Sequence, residues 1–240
     1  MSRDKGSSPS ARGIILAMEH AFFVTGTDTG VGKTHVSAAL LRGFNAHGKR
    51  ALGMKPVASG CQWLDDAWRN DDALALLEAG AYPLDYPLLN PYALPDAIAP
   101  HSAAALHGIR IEMAPIAAAY AQIAAQAEIV VVEGAGGWMV PLSDSLMEAA
   151  IPQQLGLPVL LVVGLRLGCI NHGLLSARAI RADGCELRGW IANHVDAAME
   201  NMVDSVATLE RLLGAPLLGH IHHGDSTPAL AIASRLLAGD

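Results

Sequence analysis

Cysteine is scarce in this sequence of 240 residues: there are three, and no two of them form a Cys-x-x-Cys pair. An odd number of thiols without such a pair argues against a disulfide framework and is typical of a protein in a reducing compartment. We therefore expect a cytoplasmic protein whose fold is held by packing rather than by cross-links.

Basic clusters are also missing, and the formal net charge is −7. Nucleic-acid binding needs concentrated positive charge, so no nucleic-acid partner is expected. No apolar run reaches the roughly 18 residues of a membrane-spanning helix, which predicts no membrane partner. The longest apolar runs, "IVVV" and "LPVLLVVG", are bounded by glycine, proline or charge, which is typical of buried parallel strands.

Residues 1–20 differ from the rest of the chain because they are rich in serine, glycine and charge. Their apolar patch, "IILAM", is shorter than the roughly 7–15 apolar residues of a signal-peptide core. We predict a disordered extension here, with Met18 as an alternative start. Residues 21–240 contain neither a repeat nor a linker, which predicts a single domain.

Strand-like and helix-like segments alternate along that domain. Strands are predicted over 21–25, 50–56, 129–132, 157–164, 187–193 and 217–221. Helices are predicted over 33–46, 71–77, 111–127, 145–155 (with a serine or aspartate cap), 173–182 and 200–213, whereas the proline-rich stretch 80–102 is predicted as a loop. Such alternation implies right-handed crossovers, and hence a doubly wound, mainly parallel α/β sheet with helices on both faces.

The stretch "GTDTGVGKT", residues 26–34, joins the first strand to the first helix. Gly30 and Gly32 allow the backbone to curl so that its N–H groups point inward at an anion. The following helix adds its positive N-terminal end, Lys33 can reach terminal phosphates, and the Thr34 hydroxyl can bind Mg²⁺. This pattern predicts a phosphate-binding loop.

The spacing of this loop is unusual, because five residues rather than four separate Gly26 from Gly32. Partitioning ATPases have a deviant loop with a second lysine, in the pattern K-G-G-x-G-K-[ST]. Counting back from Lys33, that lysine would stand where this sequence has Asp28. The loop therefore argues against the partitioning branch.

Charged residues stand at the ends of two further predicted strands. Glu133 directly follows "IVVV", the position at which a carboxylate for a metal ion emerges at the edge of a parallel sheet. Lys55 precedes Pro56 at the end of the second strand, where a cation can stabilise developing negative charge. Asp71 and Asp72 begin the second helix, and on the residues alone either is an equally good metal ligand.

The ordered motifs of the chain resemble those of the dethiobiotin synthetase family. They are "TGTDTGVGKT", "KPVASG", "RNDDALAL", "NPY" with "PH", "VVEGAGGWMVPLSD", "PVLLVVGLRLGCINH" and "GWIANHV". The family loop shares the five-residue spacing. The resemblance implies an Mg²⁺-dependent enzyme that uses ATP and CO₂ to close the ureido ring of 7,8-diaminononanoate. It also implies a carbamate, a phosphorylated carbamate, and a homodimer with substrate sites at the subunit interface.

The resemblance also implies site residues, position by position. The catalytic residues would be Lys33, Lys55, Thr29 and Ser59. Nucleotide would be bound by Thr27, Asp28, Thr29, Gly30, Val31, Gly32, Lys33, Thr34 and Asn193, and metal by Thr34, Asp72 and Glu133. Substrate would be bound by Thr29, Lys55, Ser59, Gly136, Cys169, Ile170 and Asn171.

Some residues depart from the family pattern. "NHVD" is similar to the N-K-x-D motif with which GTPases read guanine, but His194 stands in place of the lysine, so ATP is expected with GTP tolerated. His222 and Ala97 replace family prolines, and the tail after Gly224 carries no recognised motif. The histidines of "HIHHG" lack further zinc ligands and are interpreted as a solvated or an edge-strand cluster.

Two other hypotheses remain at this point. One is a different P-loop ligase that acts through an acyl phosphate, and the other is a nucleotide switch or partitioning ATPase whose output is a partner interaction. "KPVASG" and "GCINH" have no role in a switch. ATP hydrolysis that requires both a diamine and bicarbonate would separate the three.

Overall fold

The computed structural model of the protein describes residues 21–222, 225 and 227–239. The predictions made for residues 1–20, His223 and Gly224 lie outside the described residues. Among the helices that are described, none is both long and apolar enough to cross a membrane.

The described strands are β1 (Ala21–Gly26), β2 (Ala51–Met54), β3 (Val57–Ser59), β4 (Gln62–Leu64), β5 (Ala67–Arg69), β6 (Tyr92–Leu94), β7 (Ile129–Glu133), β8 (Val159–Gly164), β9 (Leu187–His194) and β10 (Leu217–His222). The described helices are α1 (Lys33–Ala46), α2 (Asp71–Ala79), α3 (Tyr86–Leu89), α4 (Pro100–Leu106), α5 (Met113–Ala124), α6 (Ala150–Leu155), α7 (Cys169–Ala182), α8 (Met202–Leu213) and α9 (Pro228–Ala238).

Six of these strands form the central sheet, in the order β10-β9-β8-β1-β7-β2, and every pair in it is parallel. The strands β1, β7 and β8 are buried along their whole length, as expected of strands covered by helices on both faces. The predicted doubly wound parallel sheet is thereby confirmed. Its strand order reverses at β1, the place where such folds bind ligands.

Alternate residues of β1 enter two different cores. Phe22 packs with α1, α2 and α9 on one face, where its ring stacks on Phe44 with 6.0 Å between centroids. Phe23 packs with α5 to α8 on the other face and meets Trp138 edge-on at 6.3 Å. The period of two along a strand therefore divides the apolar residues between two layers.

The strand register brings the predicted functional residues to one edge of the sheet. Val24 of β1 lies opposite Glu133 of β7, and Met54 of β2 lies opposite Val132. Because parallel strands end at the same edge, Lys55 follows Met54 directly beside Glu133. The phosphate-loop sequence leaves β1 at this edge as well.

The prediction of a loop over 80–102 is wrong. This stretch contains α3, β6 and α4, and β6 pairs with β3 in a small parallel sheet. Prolines lie in the first turns of α3 and α4, where the missing N–H costs no helical hydrogen bond. They mark helix starts here rather than a loop.

The prediction of a capped helix over 145–155 is also wrong in its first half. α6 begins only at Ala150, and its N-cap residue, Ala149, makes no side-chain cap. Met147 forms a bridge with Pro141, and the Glu148 N–H donates to the Val140 carbonyl at 2.8 Å. These contacts fold residues 140–148 back on themselves before the helix starts.

Two further helices differ from the prediction. α7 begins at Cys169 rather than at 173, so Asn171 lies within its first turn. α9 was not predicted at all, and it packs against α1 in the face that contains Phe22.

Candidate nucleotide and substrate site

The turn between β1 and α1 has the shape that a phosphate cradle requires. Gly32 adopts the left-handed conformation, with φ of 84°. A Cβ on Gly32 would lie 2.1 Å from Asn193 Nδ2, so backbone conformation and space both demand glycine here. Asn193 Nδ2 donates to the Val31 carbonyl at 2.8 Å and holds the loop from behind.

Lys33 is a buried cation at the start of α1, with 7% of its surface exposed. Burial, and then the nearby Lys55 cation, lower the pKa of Lys33. Its Nζ donates to the Asp28 carbonyl at 3.1 Å, which folds the side chain back over the loop. The positive charge of Lys33 is therefore preorganised to bind an anion in the loop.

Lys55 is the centre of an ionic network in which Lys55 and Glu133 are buried and the Asp72 side chain is 46% exposed. Its Nζ lies 2.6 Å from Glu133 Oε1 and 3.0 Å from Asp72 Oδ2, and it donates to the Gly134 carbonyl at 3.1 Å. Burial alone would lower the pKa of Lys55, but Glu133 and Asp72 outweigh it and raise the pKa to about 12. Lys55 therefore stays charged.

The backbone of Lys55 is fixed by the stretch that sequence analysis assigned to a loop. The Lys55 N–H donates to the Leu89 carbonyl at 2.8 Å, and Asn90 Nδ2 donates to the Lys55 carbonyl at 2.7 Å. α3 and the residue after it thus position the lysine at the end of β2.

Asp72, rather than Asp71, belongs to this network. Asn70 is the N-cap residue of α2, and its side chain accepts from the N–H groups of Asp72 and Ala73. This cap turns Asp72 toward Lys55, whereas Asp71 is exposed. Burial opposes ionisation of Asp72, but Lys55, Thr34 and Lys33 together outweigh it and lower the pKa of that carboxyl.

The residues proposed as Mg²⁺ ligands come together at this point. Thr34 Oγ1 donates to Glu133 Oε1 at 2.8 Å, and Asp72 shares Lys55 with Glu133. Glu133 is fully buried, and its second oxygen, Oε2, has no hydrogen-bond partner among the described residues. One hydroxyl and two carboxylates are the hard oxygen ligands that Mg²⁺ prefers, so the donor set fits this ion.

Thr29, Ser59 and Gly136 border the network. A Cβ on Gly136 would lie 3.5 Å from Thr29 Oγ1, so the two loops meet there. Thr29 is exposed, whereas Ser59 Oγ is buried and has no hydrogen-bond partner among the described residues. Ser59 therefore offers an unused hydroxyl close to Asn70, whose Nδ2 donates to the Ser59 carbonyl at 3.2 Å.

Comparison with known proteins decides the family. The chain is 53% identical over 220 residues to the ATP-dependent dethiobiotin synthetase BioD of Xanthomonas euvesicatoria, covering 91% of this chain and 98% of the relative. It is 52% identical over 203 residues to the protein of the same name from Xylella fastidiosa, covering 85% and 90%. The chain belongs to the dethiobiotin synthetase family.

A family model described as an AAA domain matches residues 20–228. Among solved structures, the MinD cell division protein of Aquifex aeolicus has a TM-score of 0.57 at 17% identity, covering 91% of this chain and 97% of that one. A ParA family ATPase from Chlorobium tepidum has a TM-score of 0.55 at 12% identity, covering 92% of both chains. At these identities the likeness shows the fold alone, which is that of the P-loop NTPases.

In this member of the dethiobiotin synthetase family, the predicted nucleotide-binding residue Asn193 and the predicted substrate-binding residues at the start of α7 lie apart from the Lys55 network. Asn193 is buried behind the phosphate loop, and its Oδ1 has no hydrogen-bond partner among the described residues. Cys169, Ile170 and Asn171 form the first turn of α7, where Cys169 is buried and Asn171 is exposed. Binding of nucleotide by Asn193, and of substrate by Cys169, Ile170 and Asn171, remain predictions.

Two charged residues near the site were not singled out from the sequence. Arg166 Nη2 lies 2.5 Å from Asp28 Oδ2 and links the segment before α7 to the phosphate loop. Glu148 is buried, and its Oε1 accepts from the Ala135 N–H at 2.9 Å. The sequence could have indicated Glu148, because it is a single acid within the apolar stretch "SLMEAAIP". Nothing in the sequence indicated that Arg166 pairs with Asp28.

The histidine cluster lies at the outer edge of the sheet. His220 and His222 are on the edge strand β10, as predicted, and His194 ends β9 beside them. His194 Nε2 is 3.1 Å from His220 Nδ1, and the rings of His194 and His222 are 3.8 Å apart. Burial, then His222 and His220, lower the pKa of His194.

Proposed function

We propose that this chain is an ATP- and Mg²⁺-dependent dethiobiotin synthetase that carboxylates 7,8-diaminononanoate and closes its ureido ring. The family membership supports the overall reaction. The observation that supports the chemistry best is Lys55, a buried and charged amine beside Glu133 and the phosphate loop. A cation there can stabilise the negative charge of a carbamate and of a transferring phosphoryl group.

The reaction can be divided into three bond changes. One amine of the substrate attacks CO₂, loses a proton and becomes a carbamate. A carbamate oxygen then attacks the γ-phosphorus of ATP, the bond to ADP breaks, and a carbamic–phosphoric anhydride forms. The second amine attacks the carbamate carbon and loses a proton, and the C–O bond to phosphate breaks. The products are dethiobiotin, ADP and phosphate.

The chain supplies a group for each charge that develops. Lys33 and the loop N–H groups would hold the β- and γ-phosphates, and Lys55 would face the carbamate and the phosphoryl group. Thr29 Oγ1 and the unused Ser59 Oγ would hydrogen-bond the carbamate and amine end of the substrate. Neither hydroxyl needs to ionise for this role.

Thr34, Asp72 and Glu133 would hold Mg²⁺. The ion, when bound, neutralises phosphate charge and orients the triphosphate. In the free protein Lys55 stands between the two carboxylates, so its contacts there would be shared or exchanged when the ion binds. This arrangement predicts competition between Nζ and the metal ion for carboxylate oxygens.

The remaining parts of the proposal rest on the resemblance. Asn193 would contact adenine, and the N–H groups of the first turn of α7 would bind the substrate carboxylate across a homodimer interface. Leu167, which is 96% exposed just before α7, is an apolar side chain that such an interface would cover. A biosynthetic enzyme of this kind, with free cysteines, would work in the cytoplasm.

One experiment tests the proposed function directly. Purified protein is incubated with diaminononanoate, bicarbonate, ATP and Mg²⁺, and dethiobiotin is sought by mass spectrometry. We expect product, and ATP hydrolysis that needs both the diamine and bicarbonate. Hydrolysis without either substrate would instead favour a nucleotide switch, and hydrolysis with a different acid acceptor would favour another P-loop ligase.

A further inference from the structure

Glu148 is a buried acid that the proposed reaction does not use. It is 1% exposed and lies in the segment between β7 and α6, outside the predicted site. Carboxyl groups are almost never fully buried unless they are paired. Among the residues that the structure describes, Glu148 forms no ion pair with a basic side chain, so its burial calls for a different explanation.

The contacts of Glu148 lead to the turn that follows Glu133. Oε1 of Glu148 accepts from the Ala135 N–H at 2.9 Å, and a Cβ on Gly134 would lie 2.7 Å from the same oxygen. The backbone of this turn therefore rests directly on the carboxyl group. Phe23 approaches the same place, with its Cζ 2.9 Å from that Cβ position, so a side chain at position 134 would meet both residues.

The same turn also contacts Lys55, the cation that the proposed reaction uses. The Gly134 carbonyl accepts from Lys55 Nζ at 3.1 Å, while Glu133 Oε1 accepts from the same atom at 2.6 Å. A peptide unit joins the Gly134 carbonyl to the Ala135 N–H that Glu148 binds. Since peptide units are planar, fixing that N–H also fixes the direction of the carbonyl.

We propose that Glu148 is a positioning residue, whose Oε1 fixes the Gly134–Ala135 peptide and thereby aims Lys55 Nζ at the reacting centre. The proposal rests on the proposed function, because Lys55 is the cation that would meet the carbamate. It assigns the role to an acceptor oxygen rather than to a negative charge.

The surroundings of Glu148 favour the neutral acid. Oε2 has no hydrogen-bond partner among the described residues, and one N–H is a poor replacement for water around a carboxylate. Burial raises the pKa of Glu148 to about 7, although the Ala135 N–H, Lys55 and Lys33 all oppose this. Protonation on Oε2 leaves Oε1 free to accept, so the contact persists in both forms.

Two substitutions separate the acceptor from the charge. Glu148→Gln keeps a carbonyl oxygen of the same reach and removes ionisation, whereas Glu148→Met keeps the volume and removes the acceptor. Trp138→Phe is the control for general destabilisation, because it deletes the 2.7 Å bond to Asp183 from the same segment and keeps the contact between Glu148 and the Ala135 N–H. Melting temperature and ATP binding establish that each variant is folded.

The measured quantities are kcat and KM for dethiobiotin formation. We expect Glu148→Gln to keep at least half of the wild-type kcat, and Glu148→Met to lose about tenfold or more with KM for ATP within about twofold, because a misplaced catalytic group costs turnover. Trp138→Phe should lower the melting temperature and leave kcat near the wild-type value.

Three results would overturn the inference. Equal losses in Glu148→Gln and Glu148→Met would mean that the ionisable group itself is required. A kcat unchanged in Glu148→Met would mean that the turn holds Lys55 unaided. A loss in Trp138→Phe as large as that in Glu148→Met would reduce the effect to general destabilisation. Failure of wild type to make dethiobiotin would instead reject the proposed function.

Discussion

At the scale of single residues, the site is governed by how Lys55 is shared between two acids. Lys55→Met should lower kcat by roughly 100-fold or more, because it removes the cation from the reacting centre. It should also destabilise the Mg²⁺-free protein by about 3–5 kcal/mol, since Glu133 is left buried and unpaired. Mg²⁺ should then raise the melting temperature of the variant more than that of wild type.

Thermal unfolding with and without Mg²⁺ tests this exchange. Lys49→Met is a suitable control, because Lys49 pairs with Glu128 at 3.5 Å on the surface, where both side chains are about 40% exposed. That variant should unfold like wild type under both conditions. An equal Mg²⁺ shift in Lys55→Met and wild type would show that the ion and Nζ do not compete.

Substitutions can also rank the acidic residues of the site by their effect on the Mg²⁺ dependence of activity. Glu133→Gln and Asp72→Asn should each raise the Mg²⁺ concentration that gives half-maximal activity by about tenfold or more, because each removes a charged oxygen from the proposed Mg²⁺ site. Asp71→Asn changes the same kind of side chain at the neighbouring, exposed position and should have little effect. Activity titrations with Mg²⁺ would decide, and a large effect confined to Asp71 would reject the assigned ligands.

Glu148 should also impose a pH dependence on stability. Its pKa is raised from the ordinary value of 4.5 to about 7, so between these two pH values the folded protein binds more protons than the unfolded chain. Stability is therefore lost as pH rises through this window. Glu148→Gln should gain stability relative to wild type from pH 5 to pH 8, by up to about 3 kcal/mol.

Urea unfolding at pH 5 and pH 8, without nucleotide, measures that difference. Glu148→Met also lacks the ionisable group, so it should show the same change between the two pH values from a lower starting stability. A difference between wild type and Glu148→Gln that is constant with pH would show that Glu148 is ionised throughout.

At the scale of elements, the sequence predicted what local patterns encode. The runs "IVVV" and "LPVLLVVG" predicted β7 and β8 because a strand covered on both faces is apolar along its length. α1 was predicted with its exact bounds, since the glycine-rich turn fixes its start. α3, β6 and α4 were missed because the prolines that begin helices there also occur in loops.

α9 was missed although its alanine and leucine residues are strong helix formers. A Cβ on Gly43 of α1 would lie 2.8 Å from the Ala229 carbonyl of α9, so the two helices touch through glycine. Gly43→Val should therefore separate them and destabilise the protein by about 1–3 kcal/mol. Arg42→Ala, at the exposed neighbouring position, is the control for changes to α1 itself.

Denaturant unfolding of the two variants measures this contact. A free energy of unfolding of Gly43→Val equal to that of wild type would mean that α9 can move away from α1 without loss of stability. Loss of stability in Arg42→Ala as well would assign the effect to α1 alone.

At the scale of the whole molecule, the sequence could place residues at strand ends but could not pair them across the fold. Lys55, Glu133 and Thr34 were each predicted from their position after a strand or in the phosphate loop, and the structure joins them. The choice of Asp72 over Asp71 came from the resemblance alone. The contact between Arg166 and Asp28 spans 138 residues, and that distance carries no local signal.

The same limit applies to the assembly, for which we expect a homodimer with shared sites. The substrate is about 10 Å long from its amines to its carboxylate at standard bond lengths. If the amines lie by Lys55, the carboxylate reaches the rim of the cleft, where the resemblance places the α7 start of a second subunit. Two-fold contact would then give two equivalent sites, each built from both chains.

Mixing two inactive variants tests this arrangement. Lys33→Ala disables the phosphate loop, and Ile170→Pro with Asn171→Ala removes donors from the first turn of α7, where proline is tolerated. If each site uses the loop of one chain and the α7 start of the other, a mixed dimer has one site with both defects and one site with neither. Activity should return toward half of wild type per mixed dimer. Demonstrated subunit exchange without any recovery would mean that one chain builds each site.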